Sequence, residues 1–173
     1  LEGRLKELLQ FVRPADRQNV SVDLNALVGE TVRMVAGRIA ATQITLRQVL
    51  ASDLLRVLGN AMLLEQVVLS LLVNAIEAIP NGGGTIRIVT GLTQCGKGGP
   101  AVFVEVTDSG VGIPPEQIPN LFKAFYTTKA QGTGLGLAIA KKFAEAQGGA
   151  IAVSTRPGEG ATFRVTFPAY TEV

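Results

Sequence analysis

Between Leu63 and Ile79 the chain is largely apolar, with twelve apolar residues out of seventeen, yet Gln66, Ser70, Asn74 and Glu77 recur at intervals of four, four and three. On an α-helix this spacing confines the four side chains to an arc of about 80°. A helix buried on its other sides tolerates such a stripe where it faces water or a polar ligand, and the spacing alone leaves both open. Asn74 has the chemistry best suited to a metal-bound nucleotide. Mg²⁺ takes oxygen ligands, keeps several waters and draws most of its charge balance from phosphates, so an amide oxygen can coordinate it without repelling a triphosphate.

Two glycine motifs follow downstream. Asp108-Ser-Gly110-Val-Gly112-Ile113-Pro114 comes directly after an alternating apolar stretch. Its glycines permit a sharp turn and close approach to a flat ligand, and its carboxylate can accept a hydrogen bond from an exocyclic amine such as that of adenine. An ordinary Asx-type turn would have the same sequence. Gly132-Thr133-Gly134-Leu135-Gly136 precedes a helical pattern. Helix N-terminal amides favour phosphate there, although a capped hinge reads the same way. This second motif does not have the Rossmann spacing. Gly91 to Lys97 imitates a P-loop, but Gly98 stands where a Ser or Thr must hold the metal. Between the two glycine motifs, Leu121 to Lys129 carries Phe122 and Phe125 with Lys123 and Lys129. It lies in a segment without strong periodicity, as in a lid pinned by aromatics whose lysines reach phosphates, although an ordinary surface loop with solvated lysines reads the same way.

Composition excludes several alternatives. The 173 residues suffice for one domain, and 16 basic against 14 acidic residues give a net charge of +2, no global reason to bind nucleic acid. The chain has no histidine, which removes histidine-based triads, general bases and metal sites. Its one cysteine, Cys95, excludes a disulfide framework and reads as an incidental thiol. No apolar run is expected to reach bilayer-spanning length, and nothing resembles a signal peptide. A start at Leu1 is read as that of an excised or processed piece.

The motifs need elements to hold them. Leu1, Leu5, Leu8 and Val12 form an a/d seam ending at Pro14, the stub of a longer helical hairpin or dimer. Val20 to Leu24 alternates like a short strand. Asp23 or Asn25 caps a helix running to about Ala41, with Leu27, Val28, Thr31, Val32 and Val35 inward. Strands are expected at Ile44 to Val49, Leu54 to Leu58, Thr85 to Thr90, Ala101 to Thr107, Ile151 to Thr155 and Thr162 to Phe167. Helices are expected at Asn60 to Ile79 and from Gly136, the latter closed by Gly148-Gly149. The fold class is α+β, with about five strands in a mixed sheet and three helices on one face.

The four elements, in this order, resemble the N, G1, F and G2 boxes of the GHKL (Bergerat) ATP-binding fold, a two-layer α/β sandwich. The run Phe122-Lys-Ala-Phe-Tyr-Thr-Thr-Lys-Ala-Gln-Gly-Thr-Gly-Leu-Gly-Leu-Ala-Ile-Ala resembles sensor histidine kinases, particularly the nitrogen-regulation and PAS-linked type. The resemblance covers about Val22 to Pro168. It implies Asn74 as Mg²⁺ ligand and, with the lid lysine Lys129, as catalytic residue. It implies Asp108 as reader of the adenine amine over a floor of Gly110 and Gly112, with Thr162 beside the base. Gly132, Thr133, Gly134, Leu135 and Gly136 would face the phosphates, Lys123 would be a second lid lysine, and Ala78, Ile113 and Leu137 would complete the pocket.

The resemblance divides the chain into the end of a dimerisation helix (1–14), a linker (15–21), the catalytic domain (22–169) and a tail (170–173). It implies ATP and Mg²⁺ as cofactors. The implied partners are a histidine-bearing dimerisation domain of the same protein and a response-regulator receiver domain. It also implies a homodimeric full-length protein that binds no nucleic acid, in the cytoplasm or anchored to its membrane. Two positions depart from the pattern. Ser70 stands where many relatives carry a second asparagine, and where gyrase and Hsp90 types place a water-activating glutamate. Glu77 stands where some histidine kinases carry a phosphate-binding lysine. Alternatives are an anti-sigma-type serine kinase, and a degenerate domain that binds nucleotide or a partner without catalysis.

Overall fold

The computed structural model describes residues 19–96 and 98–171. The expected helical stub at residues 1–14 lies outside them. Strand β1 (Val20–Val22), expected from the alternation at Val20 and Val22, pairs antiparallel with β3 (Val57–Gly59); it overlaps the expected linker at Val20 and Ser21 and stops before Leu24, which opens a helix. At the other end, Tyr170, expected in the tail, donates its backbone N–H to Arg56 O at 2.6 Å.

Helix α1 (Leu24–Ala40) is capped by Asp23, whose carboxylate accepts from Ala26 N. Its inner face is Leu24, Leu27, Val28, Thr31 and Val35, and the buried Thr31 hydroxyl donates to Leu27 O at 2.8 Å. Asn25, the other capping candidate, instead ties α1 to the sheet. Its amide donates to Ala51 O and accepts from the Thr90 hydroxyl, both at 2.7 Å.

Five strands make the main sheet, in the order β2 (Ile44–Val49), β4 (Gly84–Gln94), β5 (Pro100–Asp108), β7 (Ala161–Pro168) and β6 (Ala150–Thr155). Only β2 and β4 run parallel, and the crossover that parallel pairing demands contains β3 and α2 (Ala61–Ala78). Leu54 and Leu55, expected in a strand, lie in the irregular stretch between the turn at Ser52-Asp53 and β3 and pack on the core from there. Helix α3 (Gly136–Ala146) ends at Gly148-Gly149 as expected.

Alternation along the strands decides which face is covered. Val102, Val104, Val106, Phe163, Val165 and Phe167 point into the core with Leu64, Val67, Val68, Leu71 and Leu72 of α2. By length and composition α2 is apolar enough to cross a membrane, which corrects the expectation from the sequence: its polar stripe interrupts the run without lowering its mean hydropathy far. In this fold α2 is the central core helix, in contact with α1, α3 and β5.

Candidate functional site

Helix α2 begins at Asn60, whose side-chain oxygen accepts from Met62 N and Leu63 N. This start sets the phase of the helix. Leu64, Val68, Leu71 and Leu72 go to the core, and the polar stripe goes to the opposite side. That side lines a cleft of about 410 Å³, within the usual range for small-ligand sites. Gln66, Ser70, Asn74 and Glu77 all border it, flanked by Leu69 and Val73. The stripe therefore faces a recess rather than open solvent.

The second wall is the turn after β5. Val111, Gly112 and Ile113 line the cleft. Backbone contacts fix this turn from two directions. Val111 N donates to Ala78 O at 3.2 Å, strapping it to the end of α2. Gly158 N donates to Val111 O at 2.7 Å, bracing it with the β6–β7 hairpin. Gly112 has φ of 71°, and a Cβ there would lie 2.0 Å from Arg156 O. No larger residue fits this position.

Asp108 ends β5 and is only 2% exposed. Its Oδ1 accepts from Gly110 N at 2.8 Å. Burial pushes its carboxyl above the usual carboxylate value, against the pull of the Gly110 and Ala161 amides and the nearby positive charge of Lys129. It does not border the open cleft. Ala78 and Gly110 likewise lie behind the lining, the glycine because a Cβ there would come within 2.3 Å of Ala78 O.

The third wall is the long segment between the glycine motifs. It contains one 3-10 turn (Pro115–Asn120) and then Tyr126 to Lys129 and Gln131 to Gly134, which border the cleft together with Gly136 and Leu137 of α3. Phe122 meets Phe163 edge-to-face with ring centroids 6.4 Å apart, so it pins the segment to the core as expected. Phe125 does not: it has φ of 65° and is 42% exposed. Its N–H donates to Gly134 O at 2.9 Å, and Gly134, itself at φ of 68°, packs against its backbone.

Lys129 reaches across to α2. Its Nζ lies 2.9 Å from Glu77 Oε2 and 3.4 Å from Asn74 Oδ1. Glu77 also approaches Arg38 of α1 at 3.5 Å. Lys123 does not join them. It donates to Asn120 Oδ1 at 2.6 Å and does not border the cleft.

Of the expected site residues, the cleft thus gathers Asn74, Gly112, Ile113, Lys129, Gly132, Thr133, Gly134, Gly136 and Leu137. Leu135 caps α3 without lining it. Thr162 is the clearest correction. In the β5–β7 register it pairs with Thr107, and their hydroxyls lie 2.9 Å apart. Asp108 pairs with Ala161. Strand alternation therefore puts Thr162 on the sheet face opposite Asp108, and Ala161 is the β7 residue beside the carboxylate. Thr162→Val is expected to leave nucleotide affinity within about twofold of wild type, measured by titration calorimetry, because the hydroxyl it removes is remote from the cleft. Sequence reasoning did not assign Leu69, Val73, Val111, Gln117 or, within the lid segment it singled out, Leu121 and Tyr126 to Thr128, nor Gln131. Leu69 and Val73 were readable as helical neighbours of the stripe, one residue before Ser70 and Asn74; Gln117 had no local signal.

A polar helix face, an acidic turn and a glycine-hinged segment around one recess define a nucleotide-binding class of site. Residues 59–171 match the family described as Histidine kinase-, DNA gyrase B-, and HSP90-like ATPase. The chain belongs to that family. It is 38% identical over 164 residues to the sensor histidine kinase ZraS of Klebsiella oxytoca, and 38% identical to the signal transduction histidine-protein kinase AtoS of Escherichia coli. It covers 34% and 26% of their lengths, so it spans about a third or less of these relatives. Among solved structures, the catalytic domain of histidine kinase ThkA superposes with a TM-score of 0.76 at 32% identity, covering 88% of this chain and 96% of that one. Full-length ShkA, solved in complex with AMPPNP, superposes at 0.77 with 26% identity, covering 91% and 32%. The chain corresponds to the ATP-binding catalytic domain of these kinases.

Proposed function

We propose that this domain binds Mg·ATP in the α2 cleft and delivers the γ-phosphoryl group to a histidine on a dimerisation domain, for relay to a response regulator in the cytoplasm. The observation that carries this reading is the meeting of Asn74, the turn after Asp108 and Lys129 around a single cleft, although 55 residues separate Asn74 from Lys129. The donor set suits Mg²⁺: an amide oxygen at Asn74, with phosphates to complete the charge balance. When bound, the metal would neutralise charge on the phosphates. Asp108 lies behind the lining, so the base would have to seat deeper than the open cleft for its amine to hydrogen-bond that carboxylate, in surroundings dry enough to make the bond discriminating. Lys129 would place its charge on the phosphates, and the glycines of the hinged segment would bring backbone amides near them.

Transfer rather than hydrolysis follows from the acid–base inventory. Among the described residues that border the cleft, Glu77 is the one carboxylate, and it is held by Lys129 and Arg38. Ser70 cannot act as a carboxylate base towards water. Catalysis then rests on positioning and charge neutralisation.

The chain has no histidine, so it cannot be its own histidine acceptor. Incubated alone with γ-labelled ATP, it is expected to bind nucleotide and to show no acid-labile, base-stable adduct. With a histidine-bearing helical hairpin from a related kinase added, that hairpin should become labelled. Labelled phosphohistidine cannot arise on this chain, so absence of labelling on the hairpin, despite ATP binding, would refute the kinase reading.

A further inference from the structure

The Lys129 ammonium is engaged on α2 where a phosphate would have to draw it away. It lies 2.9 Å from Glu77 Oε2 and 3.4 Å from Asn74 Oδ1, and Glu77 is itself approached by Arg38 at 3.5 Å. The four residues come from three separate elements: Arg38 from α1, Asn74 and Glu77 from α2, and Lys129 from the hinged segment. The amide oxygen that Lys129 touches is the one suited to a cation. Among the described residues Glu77 has no other polar partner in the cleft, and at 40% side-chain exposure it is not a core residue.

We propose that Glu77, steadied by Arg38, is a positioning residue that latches Lys129 across the cleft, so that nucleotide must displace the lysine from Glu77 and the metal must displace it from Asn74. This rests on the nucleotide reading above and adds a regulatory element to the same site. The latch sets a threshold: Phe122 pins the segment to the core, and the ion pair holds its Lys129 end against α2 until phosphates offer the lysine a better partner. An ion pair at this exposure is weak enough to exchange readily.

The first test needs no nucleotide. Trypsin cleavage of the Lys129–Ala130 bond, followed by mass spectrometry, should be about two- to fivefold faster in Glu77→Gln than in wild type, the scale of a half-exposed ion pair. Cleavage after Lys141 should not change. Arg38→Gln should shift the Lys129 cut in the same direction by less. The second test is a double-mutant cycle on ATP affinity, read by calorimetry. Glu77→Gln should tighten ATP by about two- to fivefold in the wild-type background and by nothing measurable in a Lys129→Gln background. Equal tightening in both backgrounds would mean that Glu77 merely repels phosphate, and would overturn the latch. So would an unchanged cleavage rate at Lys129. If no variant binds ATP, the nucleotide reading falls, while the cleavage rates still decide whether Glu77 holds Lys129.

Discussion

Replacing Asp108 with Asn is expected to weaken ATP binding on the order of a hundredfold and to shift preference towards a 6-oxo purine triphosphate. Its Oδ1 accepts from Gly110 N, so an asparagine in the same pose would keep its oxygen on that amide and present its –NH₂ in place of the second carboxylate oxygen. Adenine offers an amine at that point, and two donors would face each other in a dry setting, a loss of the size of a buried unsatisfied polar group. A purine with a 6-oxo group offers an acceptor instead. Competition calorimetry with ATP and ITP measures the ratio. An unchanged preference would remove Asp108 from base recognition.

The same substitution should raise stability at neutral pH. Burial lifts the folded-state pKa of Asp108 above its unfolded value. Its contribution to stability is therefore fully present below the unfolded pKa and is lost as pH rises through the folded one. The melting temperature of the Asn variant should exceed that of wild type at pH 7, and the gap should close as pH falls through that window. A gap independent of pH would contradict the assigned cause.

The second large effect is on metal dependence. Asn74→Ala is expected to lower ATP affinity in Mg²⁺ by about ten- to a hundredfold, the range typical when metal-site support is lost. Affinity in the presence of a chelator should change little, so the ratio between the two conditions falls towards one. Equal losses in both conditions would assign Asn74 to nucleotide contacts other than the metal. Fold loss is not expected, since Asn74 packs on the cleft side of α2 and alanine is a good helix former.

The helical stripe was readable because period and polarity coincide: Gln66, Ser70, Asn74 and Glu77 share a face whatever the helix packs on. The strand pattern likewise placed most of the sheet, since alternation from Val102 to Val106 and from Phe163 to Phe167 leaves one side to bury. What stayed hidden depended on register and on long-range backbone contacts. Thr162 and Ala161 are neighbours in sequence on opposite faces, and only pairing with Thr107 and Asp108 shows which one meets the carboxylate. Gly112 was legible as a flexible residue but not as one crowded by Arg156 of a hairpin more than forty residues away. The outward turn of Phe125 follows from its left-handed backbone, which its apolar side chain does not announce. The Arg38–Glu77–Lys129 chain joins residues from three elements and has no sequence signature at all.

The acidic turn is tied to three other parts of the fold by main-chain bonds, at Thr85, Ala78 and Gly158, whereas Lys129 is tied to α2 through its side chain and its main-chain bond to Gly132 stays within the hinged segment. The two ends of the recess thus differ in stiffness. A small adenosine mimic without phosphates would meet a rigid seat and forfeit little ordering entropy, while the triphosphate must also organise the looser end. If the acidic turn seats the base as proposed, inhibitor affinity at this domain should accordingly be gained at that end.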